Sequence, residues 1–303
     1  MNHFIVDGFG LAFHSFFAFN TLVTKTGLQS GCVYGFLTRL RSLKKKYPAF
    51  HFTVAWDNEA TRKKAAFPEY KAQRPKHDNI MEQITDLKTI LSAVDVSQAE
   101  VPSEEADDVM ASHAMKYQSE GLVYIYSSDK DMLQLVRDGK IIVIRPQTGG
   151  FPDQFYDEEA VKKKFGVAPQ DLACYLAFRG DTVDNIPGVA RVPSKIIASL
   201  VDQYKMPDAL YMSGAINSLT DFQRTSFLSH ESQSKVNIGL TKLREDLGCE
   251  MTEGAPDGEK LGAVLMKYEI KSMSPDSLIT LFDSSKTAFL ERNSPAIQNY
   301  SLF

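Results

Sequence analysis

The sequence of 303 residues predicts an α/β protein built on a mainly parallel sheet, flanked by helices and followed by a mostly helical region. Three observations lead there. Short apolar, β-prone runs alternate with helical patterns, as βαβ units require. Three of these runs (FIV, FTVAW and LVYIYSS) are each followed at once by an acid: Asp7, Asp57 and Asp129. The carboxyl ends of parallel strands are where such sheets bind ligands.

The strands are expected at 3–6, 51–56, 97–101, 122–128 and 141–145. Between them, a helix is expected over 32–46, stopping before Pro48, which lacks the N–H a helix needs. The clearest helix spans 79–94. Ile80, Ile84, Leu87, Ile90, Leu91 and Val94 share one face, and Asp78 is a candidate N-cap. A third helix is expected to begin near Ser103-Glu104-Glu105, where acids favour a first turn. After residue 165 Gly, Pro and Ser punctuate shorter helical stretches, with no strong strand pattern. This texture predicts an α/β domain over 1–165 and a mostly helical region over 166–303. The segment 251–276 reads as a turn-rich connection.

Hydrophobic content of 43% is that of a globular protein with a real core. No apolar run approaches the ~20 residues of a membrane span, and the N-terminus reaches Asp7 without a basic leader. Cys32, Cys174 and Cys249 are scattered and odd in number, which points to reduced thiols and a cytoplasmic setting.

Nine acids form the pattern that carries chemistry: Asp7, Asp57, Glu105, Asp107, Asp108, Asp129, Asp131, Asp181 and Asp184. Glu105 and Asp108 stand three apart on a helical face with Asp107 beside them. Asp181 and Asp184, also three apart, are expected in one helical turn. Such carboxylates, gathered at one sheet edge, cannot all stay ionised without cations, because like charges raise each other's pKa. Oxygen-only ligation suits Mg²⁺ or Mn²⁺. Two such ions and phosphodiester chemistry are the natural reading. The net charge of −4 argues weakly against nucleic acid, but with the nine acids set aside the remainder is positive. Bases cluster at Arg39 to Lys46, at Lys162 to Lys164, and above all between residues 62 and 76, where six bases meet one acid, Glu69. Local basic segments of this kind offer a phosphate-binding face.

The blocks FIVDG, GCVYGFL, TVAWD, FPEYKAQRP, EADD, SSDKDMLQLV and GDTVDNIPGV resemble the flap endonuclease and 5′-exonuclease family, in its bacterial and phage branch. They cover roughly residues 3–200. The resemblance implies a structure-specific 5′-to-3′ exonuclease and flap endonuclease. Its substrates would be branched or nicked duplex DNA, including RNA-primed duplex, and its ions two Mg²⁺, with Mn²⁺ able to substitute. At this length the resemblance is to a free-standing, monomeric member in a bacterial cytoplasm or that of a phage host. It implies that 1–165 is the nuclease domain, with an arch at about 58–95, and that 166–303 binds DNA. It assigns Asp7, Glu105, Asp107 and Asp108 to the tighter metal site with Asp57 nearby, and Asp129, Asp131, Asp181 and Asp184 to the second. It makes Lys71 the catalytic lysine and Arg74 its partner, and places Tyr70 on the DNA.

Three departures stand out. His14 falls where the family has an arginine, and Lys63, beside Arg62, falls where it has another. The family's Gly-x-Pro-Gly-x-Gly-x-Lys hairpin reads Gly188-Val189-Ala190-Arg191-Val192-Pro193-Ser194-Lys195 here. Arg191 disfavours the positive φ that Gly allows, and Pro193 has no N–H to offer. These changes argue against a bound K⁺ and for grip by the Arg191 and Lys195 side chains. The C-terminal Gln298 to Phe303 resembles peptides that dock on sliding clamps. The competing readings are a catalytically weak junction-binding module and an acid-site phosphatase with one nucleophilic Asp.

Overall fold

The computed structural model describes residues 1–58, 60–73, 78–147, 151–248 and 251–293. Seven strands form one sheet: β1 (Asn2–Asp7), β2 (Phe50–Ala55), β3 (Ser97–Ala99), β4 (Val123–Tyr126), β5 (Ile141–Arg145), β6 (Gln154–Tyr156) and β7 (Met251–Thr252). Their order is β6-β5-β4-β1-β2-β3-β7. The five inner strands are parallel, and β6 and β7 close the edges antiparallel. The parallel strands come as expected, whereas β6 and β7 are too short to leave a pattern.

The helices are α1 (Gly8–Ala18), α2 (Gly31–Lys46), α3 (Thr61–Ala66), α4 (Asp78–Ala93), α5 (Ala106–Tyr117), α6 (Glu158–Phe165) and α7 (Leu172–Arg179). They continue with α8 (Ser194–Tyr204), α9 (Pro207–Ser213), α10 (Asp221–Thr241), α11 (Gly258–Lys267), α12 (Pro275–Phe282) and α13 (Ser284–Asn293). Asp78 begins α4 as its first residue rather than capping it from outside.

Side chains alternate across each strand, so every inner strand feeds two cores. Phe4, Val6, Phe52, Val54, Tyr124 and Tyr126 pack under α1, α2, α4, α11 and α12. Ile5, Val123, Ile125, Ile141 and Val143 pack under α5, α7 and α8, with Phe227 of α10. The chain beyond residue 165 therefore does not pack as one unit. Residues 172–243 bury in the second core, while 261–282 return to the first, and the expected loose connection at 251–276 carries β7 and α11.

This winding positions the site. The connection leaving β1 covers one face of the sheet through α1 and α2, and the one leaving β4 covers the other, where Met132 and Leu133 join the second core. Adjacent strands whose connections part to opposite faces open a crevice at their carboxyl ends. Asp7 ends β1 in register with Ala55 of β2, and Val6 pairs with Tyr126 of β4. The acids that follow these strands share one rim.

Candidate active site

Asp7 serves two masters. As N-cap of α1 its Oδ1 accepts the N–H of Gly10 at 2.7 Å, and its Oδ2 accepts the hydroxyl of Ser127 at 2.9 Å. A side chain at position 10 would collide with the Asp7 carboxylate, so glycine is required there. Ser127, just past β4, also accepts the N–H of Asp129 at 3.0 Å, and Asp129 accepts the N–H of Asp131 at 2.8 Å. These local bonds curl the SSDKD turn so that its acids stay at the rim. Asp57, two residues beyond β2, accepts the N–H of Ala106 at 2.7 Å and so fixes the start of α5. That start brings Asp107 to the same place.

Asp7, Asp57, Asp107 and Asp129 thus form one electrostatic group. Burial, then the charge of Asp57, pushes the Asp7 carboxyl up to about 6 despite its two hydrogen bonds. Burial, then Asp129, pushes Asp107 well above the carboxylate range, with Lys71 opposing and Asp57 and Asp7 adding to the rise. Asp131 rises to about 7, through burial and then Asp129. Its Oδ1 is buried and accepts no hydrogen bond, though the Lys130 ammonium lies 3.6 Å away. This is an all-oxygen donor set with an orphaned oxygen and carboxyls that resist ionising together, which fits a hard divalent cation. Among the described residues no three His, Cys, Asp or Glu side chains are arranged to hold an ion as they stand.

Glu105 and Asp108 belong to a different environment. Glu105 receives Lys63 Nζ at 2.6 Å, the Lys71 ammonium, and the Tyr70 hydroxyl at 3.1 Å. Burial raises its pKa, but Lys63 and Lys71 outweigh that and hold it down to about 2. Asp108 faces Lys63 at 3.3 Å and Arg62 at 3.5 Å, and accepts the N–H of Arg244 at 2.8 Å. The resemblance put Glu105, Asp107 and Asp108 in one metal site; Asp107 shares its electrostatic environment with Asp7, Asp57 and Asp129, while the Glu105 and Asp108 carboxylates are paired with bases.

Asp181 and Asp184 lie in a turn, not in the helical turn their spacing predicts. Asp181 and Ile186 exchange backbone bonds of 2.8 and 2.7 Å that close it. Gly180, at φ +75°, and Gly188 press their backbones together at its base, where neither has room for a Cβ. The Lys130 ammonium pairs with Asp181, lowering its pKa against the effect of burial. Lys71 Nζ lies 4.0 Å from Asp184, and its backbone N–H donates to the Asp184 carbonyl at 3.1 Å. Lys71 adopts φ +54°, a costly conformation for a side chain with a Cβ, which aims its amine into the site.

The DNA-binding candidates divide. His14 is exposed on α1 and borders a small cleft with Asp7, Ser127 and Ser128. Arg62 is partly exposed. Lys63 and Tyr70 are buried at 3% and 2% exposure, because each spends its polar end on Glu105. Arg191 is exposed at φ +56°, so it takes the left-handed conformation that its side chain was expected to disfavour. Pro193 directly precedes α8, and Lys195 is exposed in its first turn. Arg74 and Gln298 to Phe303 lie outside the described residues. Sequence reasoning missed Ser127 and Lys130. Their signal was position alone: both sit inside the SSDKD block, Lys130 between two of its acids.

Residues 2–166 match the family described as 5′-3′ exonuclease, N-terminal resolvase-like domain. A 5′-3′ exonuclease of Aquifex aeolicus is 36% identical over 278 residues, 89% of this chain and 93% of that protein. The thermostable DNA polymerase I of Thermus aquaticus is 33% identical over 89% of this chain, which spans 32% of the polymerase. The fold matches T5 5′-exonuclease, solved with divalent zinc bound, at a TM-score of 0.65 and 19% identity, over 94% of this chain and 98% of that one. Acids at the carboxyl ends of β1, β2 and β4, the bases Arg62, Lys63 and Lys71 paired with Glu105 and Asp108, and a match through the whole α/β half agree: this chain belongs to the 5′-3′ exonuclease family.

Proposed function

We propose that this chain is a structure-specific 5′ nuclease, a 5′-3′ exonuclease and flap endonuclease that hydrolyses branched, nicked or RNA-primed duplex DNA in replication or repair. The observation that carries the reading is the group Asp7, Asp57, Asp107 and Asp129, held at one rim by bonds to Gly10, Ser127 and Ala106 despite mutual repulsion. A protein keeps such a costly arrangement where function needs it. These four acids would hold the first Mg²⁺ with Glu105 and Asp108 beside them, and Asp131, Asp181 and Asp184 would serve the second, with Asp129 shared. When bound, such ions supply an activated water and charge at the leaving oxygen.

The chain's own residues do the rest. Lys71 presents its ammonium between Glu105 and Asp184, where it would offset charge on the scissile phosphate, and Arg74 would assist it. Lys130 neutralises Asp181 and steadies the turn. Segment 61–73 is docked on 181–185, with Gln73 donating to the carbonyls of Thr182 and Val183 and Asn185 to that of Glu69. The base of the proposed arch and the second acidic turn are therefore tied together. The connection 180–193 between α7 and α8 would be a modified helix-hairpin-helix gripping duplex phosphates through Arg191 and Lys195. A 5′-labelled flap substrate digested in Mg²⁺ and in EDTA, with product lengths resolved, tests the reading. Mg²⁺-dependent products cut at or near the flap junction support it, and equal products in EDTA refute it.

A further inference from the structure

Glu105 receives three donors, and all come from one stretch of chain: Lys63 Nζ at 2.6 Å, the Tyr70 hydroxyl at 3.1 Å and the Lys71 ammonium. A carboxylate so engaged cannot give its full charge to a divalent ion, so at least one ammonium must withdraw before Glu105 turns to metal. The two lysines are not equivalent. The Lys71 side chain is 13% exposed and has a second carboxylate, Asp184, at 4.0 Å to move toward. The Lys63 side chain is 4% exposed, lies in α3, and bridges Glu105 to Asp108 at 3.3 Å. Its ammonium also stands 5.8 Å from the centre of the Tyr70 ring. Asp108 is held from its other side by the Arg244 N–H, and Arg244 Nη1 reaches Glu104 at 2.7 Å. Lys63 therefore sits in a buried frame, already shared between two carboxylates that are themselves held in place. Removing one partner of such a buried pair leaves an uncompensated charge.

We infer that Lys63 is a resident cation of the metal site: it stays on Glu105 and Asp108 when metal arrives, while Lys71 is the ammonium that yields. This rests on the metal-dependent reading above. In that role Lys63 is a positioning residue, which orients Glu105 and lowers the divalent-ion affinity of the site by holding one permanent positive charge beside it. Like charges a few ångströms apart repel strongly in a partly buried setting. Affinity is then given up in exchange for a site whose ions exchange readily.

The test uses Mn²⁺ binding to the DNA-free protein, followed by the EPR signal of the free ion. Lys63→Gln keeps a donor to Glu105 without the charge, and Lys63→Arg keeps the charge. The inference expects Mn²⁺ affinity about tenfold tighter in Lys63→Gln, one decade per ~1.4 kcal/mol, and close to wild type in Lys63→Arg. Unchanged or weaker binding in a folded Lys63→Gln overturns it. No Mn²⁺ binding by the wild type overturns both this inference and the metal-dependent reading. A second measurement needs no variant. Acetylation of the wild type by an amine reagent, read by peptide mass spectrometry with and without Mn²⁺, should leave Lys63 protected in both conditions and make Lys71 more reactive when Mn²⁺ is present. Lys63 becoming reactive on Mn²⁺ addition shows that it leaves, and refutes the assignment.

Discussion

Asp7→Asn should make the metal-free protein more stable, although it removes a buried, hydrogen-bonded group. Asp7 ionises near 6 in the fold, against an ordinary value of 3.8, because burial and Asp57 oppose its charge. The sign follows from linkage. The fold binds the proton more tightly than the unfolded chain, so ionised Asp7 opposes folding. The penalty is full above pH 6, fades as pH falls through 6, and is gone below about 4. Its size is about 3 kcal/mol from the pKa difference. An amide oxygen can still cap α1 through the Gly10 N–H, and the amide nitrogen can donate to the Ser127 oxygen. With imperfect geometry, a gain of roughly 1–3 kcal/mol remains. Urea unfolding in EDTA at pH 8 and pH 5 is the assay. The gain should appear at pH 8 and shrink at pH 5. In millimolar Mg²⁺ the wild type should recover ground, since metal stabilises only the state that binds it. A variant less stable than wild type in EDTA at pH 8 refutes the claim that Asp7 is held against its own repulsion.

Other expectations follow from the same geometry. Mg²⁺ should raise the melting temperature of the wild type more at pH 8 than at pH 5, because Asp7 and Asp131 are largely protonated at the lower pH; an equal shift at both would contradict this. Lys71→Ala should cut the single-turnover rate by roughly 10²-fold or more with little loss of DNA affinity; matched losses would make Lys71 a phosphate anchor. Arg191→Gly should relieve the left-handed strain at φ +56° and stabilise the fold by up to about 1 kcal/mol. The same change should flatten the salt dependence of duplex binding by about one unit, with K⁺ and Na⁺ equivalent at equal ionic strength. An unchanged salt slope together with a clear K⁺ preference would return the grip to the backbone.

What the sequence disclosed depended on range. Helices α2 and α4 were legible because burial of one face writes a period into ten or more residues, as Ile80 to Val94 show, and the parallel strands because burial on both faces leaves short apolar, β-prone runs. The rim acids were legible because a parallel sheet ends its strands on one side. Other features were decided by partners far along the chain. Lys63 and Tyr70 look like exposed arch residues until Glu105, more than thirty residues away, takes their polar ends. Asp108 reads as a rim acid with no local sign that Arg244, far along the chain, donates to it. Asp181 and Asp184 have helical spacing, but the close approach of Gly180 and Gly188 imposes a turn. Arg191 keeps a conformation suited to glycine because its turn is set by the flanking helices α7 and α8 rather than by its own preference. β7 spans two residues and owes its place to pairing with β3, which no local pattern records.

The central claim is that the rim acids act on metal and not on the fold. It is tested most directly by single-turnover cleavage of a 5′-flap substrate in Mg²⁺ by Asp107→Asn and Asp129→Asn, with DNA affinity and urea stability measured on the same preparations. Both variants should bind the flap as wild type does, fold at least as stably in EDTA, and lose cleavage by roughly 10³-fold, the scale on which single transition-state contacts act. Near-wild-type cleavage by both, with folding and binding intact, would contradict the account.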